Sequence, residues 1–280
     1  ITDSNIINYV CNLLNNFFIK INFPSQVLPL ALLRPISGSS SLVVLNDILA
    51  KHGTDTFIGR LASVMQGSTD TTIYIISMYF ASIGIKKIDY LIITHGDEDH
   101  IGGSITLINN FQVKNVILNK GTFTDIEKEL IKNLNKKKIP YQININKINL
   151  SNHTIYLLNN TKYNNENDNS IITYFTYQKY KFLYMGDAST EDNLLENYNL
   201  NNISILKVGH HGSNTSSSKD FISQINPSIS LISVGENNIY HHPNKEVINN
   251  LSKSRIYRTD INNMVKLTIN SKGILKVTTI

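Results

Sequence analysis

Ile88-Asp89-Tyr90-Leu91-Ile92-Ile93 runs directly into Thr94-His95-Gly96-Asp97-Glu98-Asp99-His100-Ile101-Gly102-Gly103. The first six residues are apolar and β-branched enough to form a buried strand, and the Gly pair suits a tight turn into a helix. Between them, two imidazoles and the non-adjacent carboxylates Asp97 and Asp99 fall within six residues. Imidazole nitrogen and carboxylate oxygen are the donors that divalent zinc, manganese or iron accept, so a strand-to-helix loop of this composition outlines a metal site.

Working outward, the chain from about Lys86 alternates short β-rich runs with helical segments, the pattern of a layered α/β fold. Val113 to Leu118, Ile143 to Leu150, Ser170 to Tyr177, Lys181 to Met185 and Ile203 to Val208 read as strands. Asp125 to Lys138 reads as an amphipathic helix opened by Thr124 and stopped before Pro140, and Thr190 to Tyr198 as a second helix. Phe221 to Ile225, Ile229 to Val234, Lys245 to Leu251, Ile256 to Arg258, Val265 to Ile269 and Ile274 to Thr278 complete what reads as a strand-rich C-terminal half. The front differs in composition: Lys is absent between Lys20 and Lys51, and Asn between Asn46 and Asn109. Ile6 to Ile21 has helical spacing, Ser37 to Ser41 resembles a linker, and Leu42 to Leu45 is a strand candidate. This divides the chain into an appendage of unknown role, residues 1–40, and one catalytic domain, residues 41–280.

Composition narrows the function classes. With 41% hydrophobic and 17% charged residues there is material for a core and no case for disorder. Cys11 is the only cysteine, so an intrachain disulfide and a thiolate zinc site are both excluded. No run reaches the ~20 apolar residues of a membrane span, and the opening residues lack the features of a signal peptide, so the chain by itself is expected to be soluble. A net charge of +5 and a pI near 9.0 accommodate an anionic substrate such as nucleic acid.

Four further clusters hold chemistry. Tyr184-Met185-Gly186-Asp187 ends a strand with an Asp at the carboxyl edge of a sheet, where it would bridge two ions, although Gly-Asp there ordinarily marks a turn. Lys207-Val208-Gly209-His210-His211-Gly212-Ser213 and Asn214 offer a ligand, a cation and hydroxyl and amide groups suited to phosphate oxygens. Tyr240-His241-His242-Pro243 forms a second His pair on a stiffened loop. Of eight His residues, six lie in these two loops and the opening stretch, which strengthens each reading. Asn167-Asp168-Asn169-Ser170 is expected to present an amide or carboxylate to the same edge.

The opening stretch resembles the second signature of the metallo-β-lactamase superfamily, with Asp97 in place of its middle His. Together with Met185-Gly186-Asp187, the Lys207 to Ser213 loop and His242-Pro243, it is similar to the hydrolase domain of ComEC-type DNA-internalisation proteins. Ser233-Val234-Gly235-Glu236-Asn237-Asn238 and Arg258-Thr259-Asp260 extend the likeness, which runs from about Thr71 to the C-terminus. The resemblance implies a four-layer αββα sandwich, two divalent ions, zinc or manganese, and attachment to a bacterial membrane channel.

It also implies roles. His95 and Asp97 would hold one ion and Asp99 and His100 the other, with Asp187 bridging and His210 closing the shell, His242 being the rival. Asp99, Asp187 and His211 would take part in catalysis, His211 by protonating the leaving oxygen, while Lys207, Ser213, Asn214 and His242 would bind substrate. Upstream, the family's Gly-Gln-Gly-Asp-Ser-like and Asp-Thr-Gly-Gly-like turns have Gly53-Thr54-Asp55-Thr56 and Gln66-Gly67-Ser68-Thr69 as nearest counterparts, with Met65 or Gln66 where a buttressing Asp belongs. The expected activity is metal-dependent phosphodiester hydrolysis on DNA. The competing expectations are another hydrolase of this superfamily, acting on a lactam, thioester or nucleotide, and a non-catalytic domain that binds DNA or a partner.

Overall fold

Alternation of buried and exposed residues in the runs after Lys87 sets up two sheets, and the loops between their strands carry the His and Asp residues named above. The computed structural model describes residues 24–34, 38–68, 87–159 and 161–279. The readings at Ile6 to Ile21 and Thr69 lie outside them. Two compact units emerge: residues 1–87 with 106–111, and residues 88–105 with 112–280.

In the first unit the described residues form helices: α1 (Leu28–Leu33), α2 (Gly38–His52) and α3 (Phe57–Ser68). Their core is Val27, Leu30, Leu33, Val44, Ile48 and Ala62. The strand expected at Leu42 to Leu45, and residues 38–41 of the linker before it, belong to α2, while Ser37 lies outside the described residues. Val44 and Ile48, four residues apart, are buried, whereas Leu42 and Val43 are exposed, so the inward period is helical. A short apolar run looks the same in either structure. Gly53-Thr54-Asp55-Thr56 is the connection between α2 and α3, with Thr56 Oγ1 accepting the Gly59 N–H at 3.0 Å. Gln66 sits within α3, its carbonyl accepting the Arg34 Nε–H at 3.0 Å. The expected strand-and-turn units are therefore helical here.

From Lys87 the chain forms β1 (Lys87–Ile88), β2 (Leu91–Ile92), α4 (Glu98–Ile101), which carries Asp99 and His100, and α5 (Ser104–Asn110), most of which is grouped with the first unit. After β3 (Gln112–Val113) come β4 (Val116–Leu118), α6 (Asp125–Lys137) and β5 (Tyr141–Ile143). Strands β2, β4 and β5 make a three-stranded parallel sheet. Helix α6 is the crossover between β4 and β5. Thr124 and Glu127 form its capping box, and Leu130 and Leu134, four residues apart, are fully buried. The run expected as one strand over Ile143 to Leu150 is divided between β5 and the next sheet, with Asn144 at a positive φ of 57° making the turn.

The larger sheet has seven strands: β6 (Lys147–Asn149), β7 (Thr154–Leu158), β8 (Ile172–Tyr177), β9 (Tyr180–Tyr184), β10 (Ile205–Lys207), β11 (Ile229–Ile232) and β12 (Arg255–Arg258), adjacent in that order. Pairs from β6 to β9 are antiparallel and those from β9 to β12 parallel. Parallel pairing demands crossovers, and these are α7 (Glu191–Asn197), α8 (Lys219–Ile225) and α9 (Lys245–Asn250). The segments Phe221 to Ile225 and Lys245 to Leu251, expected in a strand-rich half, are thus helical, because Phe221, Ile222 and Ile225 share one helix face. They pack with Leu194, Val247 and Leu251 against Leu183, Met185, Leu206, Val208 and Ile232 of the sheet.

A second core joins the two sheets. Ile117 and Ile92 of the small sheet meet Ile148, Ile155 and Leu157 of the large one, together with Ile171. Helix α6, small sheet, large sheet and α7 to α9 are the four layers of an αββα sandwich. The chain ends with α10 (Thr259–Asn262) and the hairpin β13 (Val265–Ile269) and β14 (Leu275–Thr279). Tyr180 anchors that hairpin by donating its hydroxyl to the Gly273 carbonyl at 3.1 Å.

Candidate metal centre

Strands β2, β9, β10 and β11 all end on one edge, so the loops that follow them converge: Thr94 to His100, Gly186-Asp187, Gly209 to Ser213 and Ser233-Val234. Residues at the carboxyl ends of parallel strands line the crevice of such sheets. A backbone bond from Ile171 N–H to the Thr94 carbonyl, 2.9 Å, stitches the first loop to the start of the larger sheet.

Two groups of donors meet there. His95, His100 and Asp187 form one, and Asp99, His100 and His211 the other, with ligand atoms within 4.8 Å of one another in each. His100 Nε2 lies 3.3 Å from Asp187 Oδ1 and 3.3 Å from His211 Nε2. His211 Nε2 is 3.2 Å from Asp99 Oδ2 and 3.6 Å from Asp187 Oδ2. His95 is fully buried, and its Nε2 lacks a hydrogen-bond partner although it stands 3.6 Å from Asp97 Oδ2. A buried imidazole nitrogen left unsatisfied amid carboxylates fits a metal ligand, since an unpaired buried polar atom otherwise costs ~1–3 kcal/mol.

The charges are arranged accordingly. The hydrogen bond from His211 holds the Asp99 carboxyl down at about 2 against the opposing effect of burial, with His100 assisting. Burial pushes the Asp187 carboxyl up, but the bond from His100 and the charges of His100, His211 and His95 carry it below its ordinary value. Burial and the neighbouring His100 lower the pKa of His95, which favours a neutral imidazole with a free lone pair. The Asp99 bond raises that of His211, against burial, with Asp187 adding to it.

Supporting groups fix these side chains. Ser170 Oγ accepts the Asp187 N–H at 3.0 Å and lies 3.2 Å from His95 Nδ1. With the proton on Nδ1, Nε2 of His95 faces the cluster with its lone pair. His211 donates Nδ1–H to the Ser233 carbonyl at 2.7 Å, which likewise turns Nε2 inward. That carbonyl is steadied in turn: Thr259 Oγ1 donates to the Val234 carbonyl and accepts the Val234 N–H, both at 2.7 Å. Arg258 pairs with Asp260 through two contacts, at 3.0 and 2.5 Å. The Ser233 and Arg258-Thr259-Asp260 segments therefore act on His211 from a distance in sequence.

Backbone conformation does the rest. His210 and His211 occupy the left-handed region at φ 46° and 53°, an arrangement costing non-glycine residues roughly 1–2 kcal/mol each. Gly186, at φ 57°, has no room for a side chain, since a Cβ would stand 2.8 Å from Ser170 Cβ. At Gly96 a Cβ would stand 2.5 Å from Glu127 Oε2 and 2.6 Å from Thr124 Oγ1. The metal loop thus lies flat against the capping box of α6. Glu166 adds a second brace, its Oε1 accepting Gly96 N–H at 2.9 Å and the Asn119 amide at 3.0 Å.

The sequence-predicted residues separate as follows. His95, Asp97, Asp99, His100, Asp187 and His211 come together. His210 stands at the margin: its Nε2 is 3.9 Å from Asp187 Oδ2 and 3.5 Å from Asn167 Nδ2, and its Nδ1 is 3.0 Å from Thr215 Oγ1. His242 lies beyond, its ring 6.0 Å from that of His210. Ser213 is buried and accepts Thr215 N–H at 3.3 Å, so it braces its own turn, while Asn214 is exposed. Lys207 donates to the Val208 carbonyl at 3.4 Å, and burial lowers its pKa while Asp187 partly restores it. Asn167 does present its amide to the edge, but Asp168 accepts from Ser189, at 2.9 Å from the N–H and 2.6 Å from the hydroxyl. Sequence reasoning did not single out Glu127, Glu166 or Asn119, and it quoted Ser233 only as part of the family likeness. The capping-box spacing of Thr124 and Glu127 was legible, but its contact with Gly96 was not.

Ser170→Ala is expected to leave the fold intact and weaken metal binding ~10–100-fold, the usual cost of losing a group that orients a ligand. Titration of the purified variant with zinc against a chromophoric chelator measures this, and parent-like affinity would show that Ser170 does not orient the centre.

Comparison with known proteins adds lineage to geometry. The sequence profile described as "Metallo-beta-lactamase superfamily" matches residues 55–236. The chain is 28% identical over 200 residues to ComE operon protein 3 of Bacillus subtilis, covering 67% of this chain and 25% of that protein. It is 28% identical over 190 residues to Recombination protein 2 of Haemophilus influenzae, covering 64% of this chain and 22% of that one. A separate likeness, 52% identity over 84 residues, is to Spore maturation protein B of Bacillus subtilis and covers 30% of this chain and 47% of that protein. The chain thus spans about half the length of one relative and about a quarter of the others. The matched profile, the αββα layers and the donor cluster at the strand ends agree: the chain belongs to the metallo-beta-lactamase superfamily, with relatives among the ComEC-type competence proteins.

Proposed function

We propose that this centre binds two divalent ions, zinc or manganese, and hydrolyses phosphodiester bonds in DNA. The observation that carries it is the pair of donor groups sharing His100. Asp99, His100 and His211 would hold one ion and His95 with Asp97 the other, with Asp187 within reach of both sets. The second set offers fewer donors and would hold its ion less tightly. Bound ions supply an activated water and charge neutralisation at the phosphorus. This chain's own residues orient the diester. His210, held by Thr215 and Asn167 at the margin, faces a non-bridging or leaving oxygen and transfers a proton there. Lys207 and exposed Asn214 draw the phosphate backbone without reading sequence.

DNA as substrate is supported by the net charge of +5 and by relatives whose names speak of competence and recombination. On the same footing the domain is associated with a membrane-channel portion in the complete protein. Among the described residues no helix is long and apolar enough to cross a membrane.

The test is cleavage of labelled single- and double-stranded DNA with added manganese. The expected result is sequence-tolerant cleavage that chelation abolishes and manganese restores. Hydrolysis of a β-lactam, thioester or nucleotide with no action on DNA would assign another hydrolase of the superfamily. Less than one tightly held transition metal per chain and no cleavage would leave a binding domain.

We also infer that the chain joins two lineages, with a structural division near residue 87. The 84-residue likeness and the 200-residue likeness cover 30% and 67% of the chain. The division into compact units falls at Lys87. In this reading Glu127 and Glu166 brace the metal loop at Gly96.

A further inference from the structure

We propose that Tyr240 is a stacking platform for an unpaired nucleobase of the nucleic acid whose phosphodiester lies at the metal centre; the inference rests on the phosphodiesterase reading. Ile239 and Tyr240 are 81% and 73% exposed, the two most exposed of the large hydrophobic side chains among the described residues. Burying such groups is favourable, and an aromatic ring left open on a rigid loop is suited to a flat partner.

The loop is rigid. Asn238 Nδ2 donates to the His242 carbonyl at 2.7 Å and to the Gly235 carbonyl at 3.0 Å, while its Oδ1 accepts the His242 N–H at 2.9 Å. Asn244 N–H donates to the Gly212 carbonyl at 2.8 Å, tying the loop to the one that carries His210 and His211. The Tyr240 ring is stacked beside His242, with centroids 5.8 Å apart and planes 20° from parallel. His242 in turn meets His210 at 6.0 Å, and His210 approaches Asp187 at 3.9 Å. A ladder of rings thus leads from Asp187 in the donor cluster to an open aromatic face.

The geometry favours a nucleobase over other flat or apolar partners, because the platform is continuous with a site whose donors suit a phosphodiester. A base in a duplex already has both faces stacked, so an unpaired base gains most from the ring. Stacking of this kind tolerates any base, in keeping with contacts that read no sequence. The adjoining charges are Glu236 and Lys245, one of each sign, so the loop tip attracts through the ring rather than through net charge.

Binding is measured by fluorescence anisotropy of a labelled oligo(dT) on the full chain, with chelator present so that no strand is cut. Tyr240→Ala is expected to weaken binding about 10-fold, the loss of one stacked base, and Tyr240→Phe to keep the parent affinity. An abasic oligonucleotide of the same length is expected to bind the parent and Tyr240→Ala alike, with unchanged thermal midpoints excluding a folding defect. Parent-like oligo(dT) binding by Tyr240→Ala, or equal weakening for the abasic strand, overturns the proposal. Because no cleavage is involved, failure of the phosphodiesterase reading is separately visible as a parent that binds oligo(dT) but cuts no diester with manganese.

Discussion

Replacing Asp187 with alanine is expected to abolish hydrolysis, with a loss well beyond the ~100-fold typical of a merely supporting contact. Asp187 is buried, and its two oxygens face His100, His210 and His211 at 3.3 to 3.9 Å, so it is the one carboxylate placed between all three of these rings. Its backbone N–H, not its side chain, bonds Ser170, so truncation leaves that link in place. The effect on folding should be small in the metal-free protein. Three imidazoles lose a counter-ion, but a buried charge is also removed, and these oppose each other. Manganese-dependent DNA cleavage and metal content, read together with circular dichroism, check the prediction. More than a tenth of parental activity in a folded Asp187→Ala variant would show that Asp187 does not serve the ions.

The second large effect separates two adjacent residues. His211→Ala is expected to eliminate tight binding of one ion and with it cleavage, whereas His210→Ala is expected to keep the ion and lose part of the rate. The basis is orientation. His211 Nε2 faces Asp99, His100 and Asp187 within 3.6 Å, with Nδ1 occupied by the Ser233 carbonyl. His210 reaches only Asp187, at 3.9 Å, and otherwise faces Asn167 and Thr215. A group that assists proton transfer contributes ~10²–10⁴-fold to rate without setting metal affinity. Competition with a chelator for zinc, alongside cleavage rates, distinguishes the two. Stronger metal loss in His210→Ala than in His211→Ala would restore His210 as the ligand that the family resemblance implies.

The choice between these neighbours was not legible in the chain. Both are His, both follow β10, and both take the left-handed backbone that aims one ring toward Asp99 and the other toward Thr215. Only the position of Ser233, at the end of the next strand, settles which ring turns inward. The same holds for Ser170. It was visible as a polar residue before a strand, yet its bonds to His95 and Asp187 span 75 and 17 residues.

Helices at Phe221 to Ile225 and Lys245 to Asn250 were misread for a different reason. Each has at most seven residues, too few for helical and strand periods to diverge, and the need for parallel crossovers appears only once β10, β11 and β12 are paired. In contrast α6, at 13 residues with a capping box, was legible almost to the residue.

By itself, then, the sequence determined what is local: a strand followed by His95, Asp97, Asp99 and His100 at ligand spacing, the Gly186-Asp187 and His210-His211 loops, and the layered α/β pattern around them. These follow from residue chemistry and from periods read over a few positions. Tertiary structure alone decided which donors share a centre and what braces them. The register of parallel strands brings loops more than one hundred residues apart to one edge, where Ser170 and the Ser233 backbone carbonyl orient His95 and His211 and Glu166 braces Gly96 beside them. No local pattern encodes those distances, because they are set by how two sheets pack.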